Sequence, residues 1–268
     1  MKSRIEKARR AFSEKDSELA KKSHNPDLIK KQIHDNAHTD DSGQYLGEFV
    51  YGAMDGTITT FAVVAGATGA SLSPGVVLIL GFANLLGDGF SMASGNYLSE
   101  RSQQDFIEKE RKREEWEIET VPEGETEEIR QIFKKKGFKG KDLEKAVKII
   151  TSDKKVWVDT MMADELGLIE STKNPLKTAL STFLGFVIIG VIPLLTYILS
   201  FFSEFFRQNS FPIAVIMTAV ALATIGVIRS TVAKKELWKS VSEALFVGGA
   251  AAIIAYFVGL FLKWTVGL

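Results

Sequence analysis

Two aspartates interrupt a long uncharged stretch of the chain, and they are the first residues that suggest chemistry. Between Glu48 and Glu100, only Asp55 and Asp88 carry a charge at neutral pH. A carboxylate deep inside a membrane-spanning helix costs about 2.5–3.5 kcal/mol, so such residues usually face an ion pathway or a partner. Two of them in neighbouring spans favour a function over packing.

Asp88 lies in a stripe of potential metal ligands. Asn84, Asp88 and Met92 are four residues apart, so a helix places an amide, a carboxylate and a thioether on one face. Oxygen and thioether ligands together suit a divalent first-row metal ion such as Fe²⁺ or Mn²⁺. Taken singly, Met92 is more typical of helix packing than of a ligand, and Asn84 and Asp88 also suit hydrogen bonds between helices.

A second group of potential ligands lies in an acidic block. Between Asp105 and Glu128 there are eleven acidic and four basic residues. Three sets have the spacing that shares a helix face: Glu110 with Glu114 and Glu117, Glu125 with Glu128, and Met161 with Glu165. Carboxylates that project inward from several helices build metal sites in helical modules. A solvated charged surface is the alternative reading of such a block.

Membrane-spanning helices must position the two aspartates. A span needs about 20 mostly apolar residues, and three uncharged stretches meet this: Thr178–Ser203, Gln208–Ile228 and Ala244–Leu262. The uncharged stretch from Gly56 to Gly87 is too long for one crossing, and Pro74 in a run of small residues predicts a turn. We therefore predict two more spans, Tyr45–Thr68 and Pro74–Leu98. Gly52 and Gly56 predict close helix packing around Asp55.

The predicted fold is all-α, a five-helix transmembrane bundle with a helical insert between the second and third spans. Its parts are a polar N-terminal extension (1–44), spans one and two (45–99), an acidic metal-binding insert (100–176) and spans three to five (177–268). The insert is predicted to contain helices at Arg101–Glu119, Glu125–Lys136, around Leu143–Ile150 and at Lys154–Leu166. Asp153 is the expected N-cap of the last helix, and Gly137 and Gly167 are the expected helix ends.

Basic residues predict the orientation in the membrane. Lys and Arg concentrate in the N-terminal extension, in the insert and between spans four and five, whereas the opposite loops contain only Arg207. Five spans place all the basic segments on one side, which the positive-inside rule assigns to the cytosol. The N-terminus and the insert are then cytosolic in an integral multi-pass protein, and Lys263–Leu268 lie on the other side.

The composition disfavours several classes of protein. The chain has no cysteine, which excludes disulfides and thiolate metal sites. All three histidines precede the first span, which disfavours a membrane di-iron oxidase and a structural zinc site in the insert. Lys+Arg 33 balances Asp+Glu 33, so nucleic acid is not an expected partner. Neither an enzymatic activity nor a bound cofactor is predicted.

Three segments resemble the vacuolar iron transporter (VIT/CCC1) family: Tyr51–Thr60 (YGAMDGTITT), Asp88–Ser99 (DGFSMASGNYLS) and Trp157–Leu168 (WVDTMMADELGL). The resemblance extends from about Tyr45 to the C-terminus. It implies a homodimer that exports cytosolic Fe²⁺ in exchange for protons and tolerates related divalent metals. The membrane would be vacuolar in a eukaryote and the cell membrane in a prokaryote.

The resemblance also implies metal ligands. Asp55 and Met92 match the family's membrane ligands, and the matching positions in the insert are Glu114, Glu117, Glu125, Glu128, Met161 and Glu165. With Asp88 these are the candidate metal residues. Met162 stays open as an alternative to Met161, which the spacing to Glu165 favours. The chain has Asn84 and Asn96 where family members can have a carboxylate.

Two functions from different classes fit these residues. The first is a proton-coupled transporter of divalent metal, in which the insert collects the ion and passes it to Asp55, Asp88 and Met92. The second is a membrane-anchored metal buffer or sensor, whose insert binds metal without translocation. The two membrane aspartates favour the transporter.

Overall fold

The computed structural model describes residues 4–27, 29–30, 44–233 and 236–266, and these contain helices and no strand. The helices are α1 (Arg4–Glu14), α2 (Ser17–Ser23), α3 (Leu46–Gly69), α4 (Pro74–Thr120), α5 (Pro122–Lys135), α6 (Gly140–Thr151), α7 (Lys154–Thr160), α8 (Pro175–Gly190), α9 (Ile192–Leu199), α10 (Glu204–Ala233) and α11 (Leu237–Val266). The predicted all-α fold is confirmed. Lys2, Lys31, Lys234 and Lys235, which contribute to the predicted orientation, and His34 and His38 lie outside the described residues.

The residues up to Leu46 form a unit of their own, in which α1 contacts α2. Asp16 caps α2 because its carboxylate accepts a hydrogen bond from the Leu19 N–H at 3.0 Å. An exposed ion pair between Arg10 and Glu14 stabilises α1. The described part of the predicted N-terminal extension is therefore largely helical.

The described residues contain five segments long and apolar enough to cross a membrane: Leu46–Gly69, Pro74–Thr120, Pro175–Leu199, Glu204–Thr231 and Leu237–Val266. The prediction of five spans is confirmed. A turn separates the first two, with Ser71 at φ +59° and Pro74 in the first turn of α4. Large apolar side chains such as Ile79, Phe246 and Phe257 are exposed on the spans, as expected where helices face lipid.

Glycines bring α3 very close to α8. A Cβ atom at Gly52 would lie 2.1 Å from the Thr182 carbonyl oxygen, and one at Gly56 would lie 2.4 Å from that of Phe186. Such distances are far below van der Waals contact, so only glycine permits this approach. The predicted close packing around Asp55 is confirmed, and it fixes the helix that carries this carboxylate.

The third span is divided where one uninterrupted helix was predicted. α8 ends at Gly190 and α9 begins at Ile192, because Pro193 has no N–H to continue the helical hydrogen bonds. Similarly, α10 has a kink at Asn209, which precedes Pro212. Proline therefore accounts for the division of one span and lies close to the kink in the other.

The 47-residue helix α4 continues from the second span into the insert. At 1.5 Å per residue it is about 70 Å long, more than twice the roughly 30 Å thickness of a bilayer core. The predicted continuation beyond the membrane is confirmed. α4 therefore carries candidate ligands in the span and in the insert on one rigid element.

In the insert, α5 and α7 contact the outer part of α4, and α6 packs against α5 and α7. Its buried apolar core consists of Ile107, Ile118, Ile129, Ile132, Leu143, Val147, Trp157, Val158, Met161 and Met162. Each such side chain contributes about 1.5–3 kcal/mol on burial, whereas exposed ion pairs such as Lys154 with Glu119 contribute about 0–1 kcal/mol. The apolar core is thus the main source of the insert's stability.

The predicted ends of the insert helices are largely observed. Asp153 caps α7 by accepting a hydrogen bond from the Val156 N–H at 3.1 Å, and Gly137 and Gly167 have φ of +98° and +67°. The predicted helix Lys154–Leu166 differs in its last turn. Residues Met161–Glu165 form a π-helix, in which the Leu166 N–H donates to the Met161 carbonyl at 3.2 Å.

Candidate metal sites

The insert contains two buried glutamates whose carboxylates are incompletely paired. Glu114 on α4 is 1% exposed and Glu125 in the first turn of α5 is 7% exposed. The Oε2 atom of each is buried without a hydrogen-bond partner among the described residues. A buried, unpaired carboxylate oxygen is costly. Both atoms therefore indicate a place for a cation.

The other predicted glutamates of the insert act electrostatically on this pair. Burial, together with the charges of Glu128 and Glu114, raises the pKa of Glu125 to about 7. Partial burial of the Glu165 carboxyl and the same two neighbours raise its pKa to about 7 as well. Burial also raises the pKa of Glu114, to which the charge of Glu117 contributes. Five predicted ligands from α4, α5 and the π-helix thus form one cluster, which we call the insert cluster (Glu114, Glu117, Glu125, Glu128 and Glu165).

Arg113 lies against the insert cluster and was not predicted from the sequence. Its guanidinium pairs with Glu110 at 2.9 Å, with Glu114 at 2.7 Å and with Glu117. The sequence spacing could have indicated these ion pairs, since Glu110 lies three residues before Arg113 and Glu117 four residues after it. Arg113 partly neutralises the carboxylates that would bind a metal ion.

The carboxylates of the insert cluster do not yet surround a common point. Within the described ranges, no three Asp, Glu or His side chains are close enough together to hold a metal ion. Like charges keep carboxylates apart, and the arginine draws Glu114 and Glu117 towards itself. For these carboxylates to bind one metal ion, Glu114 and Glu117 would have to rotate away from Arg113.

The structure buries both methionine candidates of the insert. Met161 is 0% exposed and Met162 is 4% exposed, and both belong to the insert's apolar core. The π-helix that starts at Met161 and ends at Glu165 widens the helical turn beside the insert cluster. Single π turns occur frequently at functional sites.

The membrane candidates lie on two adjacent spans. Asp55 is partly buried on α3, and the charge of Asp88 on α4 acts on it. Met92 is partly buried, and Asn84 has a buried side-chain nitrogen without a described partner. The two aspartates that the sequence singled out are thus neighbours in space.

Asp88 belongs to an exposed face of α4. Small exposed residues follow this face at intervals of four: Ala83, Gly87, Ser91 and Gly95. A Cβ atom at Gly87 or Gly95 would meet nothing within 4 Å. In a bilayer, an outward-facing carboxylate beside small residues indicates contact with another helix rather than with lipid.

The model of the VIT family matches residues 46–260. The chain belongs to this family. It is 35% identical to a vacuolar iron transporter of Toxoplasma gondii over 98% of this chain and 90% of the relative. It is 34% identical to a vacuolar iron transporter of Plasmodium berghei over 99% of both chains, and 33% identical to vacuolar iron transporter 1 of Oryza sativa over 80% of this chain and 84% of the relative.

Membership in the VIT family confirms the resemblance that the three segments of the sequence indicated. The similarity to the Toxoplasma and Plasmodium proteins extends further towards the N-terminus than the family model does. The alignments with these two relatives thus include nearly all the residues before Leu46.

Proposed function

We propose that this VIT-family protein moves Fe²⁺, and also Mn²⁺, out of the cytosol in exchange for protons. The observation that carries the proposal is the pair of neighbouring carboxylates, Asp55 and Asp88, inside the membrane-spanning part. The names of the relatives, vacuolar iron transporters, support iron as the cargo. A structural role alone does not explain two such costly groups in adjacent spans.

In the proposed mechanism the insert cluster collects the metal ion at the cytosolic side. The ion then moves to Asp55, Asp88 and Met92, where two carboxylates supply charge and the thioether favours a first-row transition metal. Protons compete with metal for the same carboxylates, so an acidic compartment on the far side promotes metal release. The protons that replace the metal ion on these carboxylates are then released to the cytosol, which frees the site for the next ion.

We further propose that the exposed face of α4 contacts a second copy of the chain in a homodimer. Asp88 would then face the partner instead of lipid, and Gly87 and Gly95 would let the two backbones approach. Because the chain has no cysteine, Ser91→Cys introduces a single reporter on this face. We expect it to form a disulfide-linked dimer under mild oxidation in membranes.

Ile254→Cys is the matched control for the dimer, since Ile254 is 65% exposed on α11, away from this face. It should give little cross-linked product. Equal cross-linking of both variants, or none with Ser91→Cys, would count against the proposed interface.

Transport is tested with purified protein in liposomes that have an acidic lumen. We expect Fe²⁺ uptake that collapses when the pH gradient is dissipated, and no uptake by Asp55→Ala. Glu204→Gln, an exposed carboxylate paired with Arg207, should transport normally. A series with Mn²⁺, Co²⁺ and Zn²⁺ then ranks the metals. Wild-type uptake by Asp55→Ala would overturn the proposal.

A metal buffer or sensor is the second candidate, and the unpaired oxygens of Glu114 and Glu125 favour it. Such a protein binds metal through the insert cluster but catalyses no flux. The liposome experiment separates the two functions, because binding without gradient-dependent uptake supports only the buffer or sensor.

A further inference from the structure

A polar cavity of about 300 Å³ lies where three spans meet at the insert end of the bundle. It is lined by Gly47, Glu48 and Tyr51 at the start of α3, by Asn96, Ser99 and Glu100 on α4, and by Thr178 near the start of α8. We call it the entrance cavity. It is distinct from the insert cluster and from the Asp55–Asp88 pair.

Two atoms of the entrance cavity lack hydrogen-bond partners. Thr178 is 5% exposed, and its hydroxyl is buried without a described partner. The Oε2 atom of Glu48 is likewise buried without a described partner. Such groups usually bind water, an ion or a protein atom. Two of them in one cavity that also contains a second carboxylate indicate a site for a cation.

Lysine already supplies a positive charge at this cavity. The Lys173 ammonium lies 2.5 Å from Glu48 Oε1, although the two residues are 125 positions apart. Ser171 donates a hydrogen bond to Glu100, and Gln104 donates one to the Lys173 carbonyl at 2.7 Å. The two carboxylates of the cavity, Glu48 and Glu100, therefore hold the segment that leads from the insert to α8 in place.

Residues of the entrance cavity lie on the same helix faces as the membrane candidates, one or more turns closer to the insert. Glu48 and Asp55 are seven residues apart, two turns along one face of α3 and about 10 Å along its axis. On α4, steps of four residues connect Glu100 and Asn96 to Met92 and Asp88, about 6 Å per step. The entrance cavity thus lies at the insert end of both lines.

We propose that the entrance cavity is a third divalent-cation site, through which an ion passes from the insert cluster to Asp55 and Asp88. The inference rests on the proposed transport function. Glu48 and Glu100 supply the charge and the Thr178 hydroxyl a neutral oxygen. The Asn96 amide nitrogen donates to Thr182 at 2.8 Å, which leaves its carbonyl oxygen for the ion. Lys173 holds Glu48 until the arriving cation displaces it.

The ligand types define what this site accepts. All its donors are oxygens, which suit Mn²⁺, Fe²⁺ and Mg²⁺, and it has no sulfur ligand to favour softer metals. The entrance cavity therefore accepts divalent cations broadly, whereas the membrane site with Met92 discriminates among them.

The test is Mn²⁺ binding to the full-length protein in detergent, measured by equilibrium dialysis, independently of flux. Glu125→Gln, Glu165→Gln and Asp55→Asn together disable the other two sites. We expect this background to retain one Mn²⁺ per chain. Adding Glu48→Gln should weaken that binding about tenfold or more, the scale typical for altered metal sites, and adding Lys173→Met should tighten it severalfold.

Thr178→Val is the milder variant, because it removes the hydroxyl at nearly unchanged volume, and we expect a severalfold loss of affinity. Glu243→Gln, whose carboxylate pairs with Arg229 at 2.9 Å, is the matched control and should bind like the background. Loss of all Mn²⁺ binding in the background, or unchanged affinity in folded Glu48→Gln protein, would overturn the site. Retained Mn²⁺ binding without flux in the wild type would instead refute the transport function alone.

Discussion

The insert cluster and the membrane aspartates are two groups of carboxylates that differ in how far the chain itself buries them and surrounds them with other groups. In the insert, α4, α5 and the π-helix surround Glu114 and Glu125, and Arg113 supplies a counter-charge. In the membrane, Asp55 is only partly buried and Asp88 is exposed on the outer face of α4. The insert cluster belongs to a folded module with its own core, whereas the membrane site leaves one carboxylate uncovered.

This difference indicates a division of tasks. Because the insert cluster lies within one module, under the proposed function it would bind an ion without the membrane-spanning part. A site with an exposed carboxylate depends on its surroundings, and carboxylates in the bilayer are costly unless an ion, a proton or a partner neutralises them. Under the proposed function, capture therefore belongs to the insert and passage to the membrane pair.

The largest expected effect separates passage from capture. Asp88→Asn should lower Fe²⁺ flux in liposomes at least about 100-fold, because it removes half of the membrane charge, while Mn²⁺ binding by the insert stays unchanged. Glu125→Gln should weaken binding and lower flux mainly at low metal concentration.

Asp105→Asn is the control for both variants, since this exposed carboxylate pairs only with Arg101 in the described structure at 3.2 Å. It should leave flux and binding unchanged. Equal flux losses for Asp88→Asn and Glu125→Gln would contradict the division of tasks.

The next effect concerns pH at the insert cluster. Glu125 and Glu165 both have a pKa of about 7, so each is largely protonated at pH 6 and ionised at pH 8. If metal displaces both protons, its affinity should fall about 100-fold from pH 8 to pH 6. Calorimetric titration with Mn²⁺ in an Asp55→Asn, Glu48→Gln background measures this. An affinity independent of pH would show that these carboxyls do not bind the ion.

Arg113 should have a smaller and opposite effect. Because its guanidinium competes with metal for Glu114 and Glu117, Arg113→Gln should tighten Mn²⁺ binding about fivefold at pH 8, about 1 kcal/mol in free energy. Arg130→Gln, which breaks pairs with Glu127 and Glu144, is the control. Weaker binding in Arg113→Gln would mean that the arginine positions ligands instead of competing.

The last expected effect is on the stability of the metal-free insert. The pKa of Glu125 and of Glu165 is raised from an ordinary 4.5 to about 7, so the folded protein binds more protons than the unfolded chain between these values. The free energy of unfolding should therefore fall as pH rises from about 4.5 to 7 and then level off. We therefore expect a lower melting temperature at pH 8 than at pH 5.

Tryptophan fluorescence can follow this transition, since Trp116 and Trp157 lie in the insert and Trp238 and Trp264 can be replaced by phenylalanine. Saturating Mn²⁺ should reverse the trend, because metal binds the ionised carboxylates of the folded state. The double variant Glu125→Gln and Glu165→Gln should show a flatter pH dependence. A melting temperature that rises from pH 5 to pH 8 in the wild type without metal would contradict the raised pKa values.

Local features of the sequence were sufficient to predict most of the fold. Uncharged apolar runs marked the five spans, Pro74 marked the turn between the first two, and Gly137 and Gly167 marked helix ends. These features act over a few residues, through hydropathy and backbone geometry. The break before Pro193 and the π-helix at Met161–Glu165 were not predicted, because each alters only one turn of an otherwise regular helix.

The candidate sites were only partly accessible from the sequence. Helical spacing shows which residues share a face of one helix, such as Glu114 with Glu117. It does not show which faces of different helices contact each other. Arg113 was overlooked because a mixed run of charges predicts a solvated surface. The contact of Lys173 with Glu48 joins residues 125 positions apart, which no local pattern reveals.

The sequence by itself determined the spans, the acidic insert and the candidate metal residues, because hydropathy and charge are properties of each residue and its near neighbours. Only the tertiary structure decided that Glu114 and Glu125 are buried with unpaired oxygens, that Asp88 is exposed beside a partly buried Asp55, and that Glu48 meets Lys173. Burial and Coulomb interactions depend on distances in space, which packing sets. The sequence therefore identifies the candidate ligands, and the fold decides which of them lie close together.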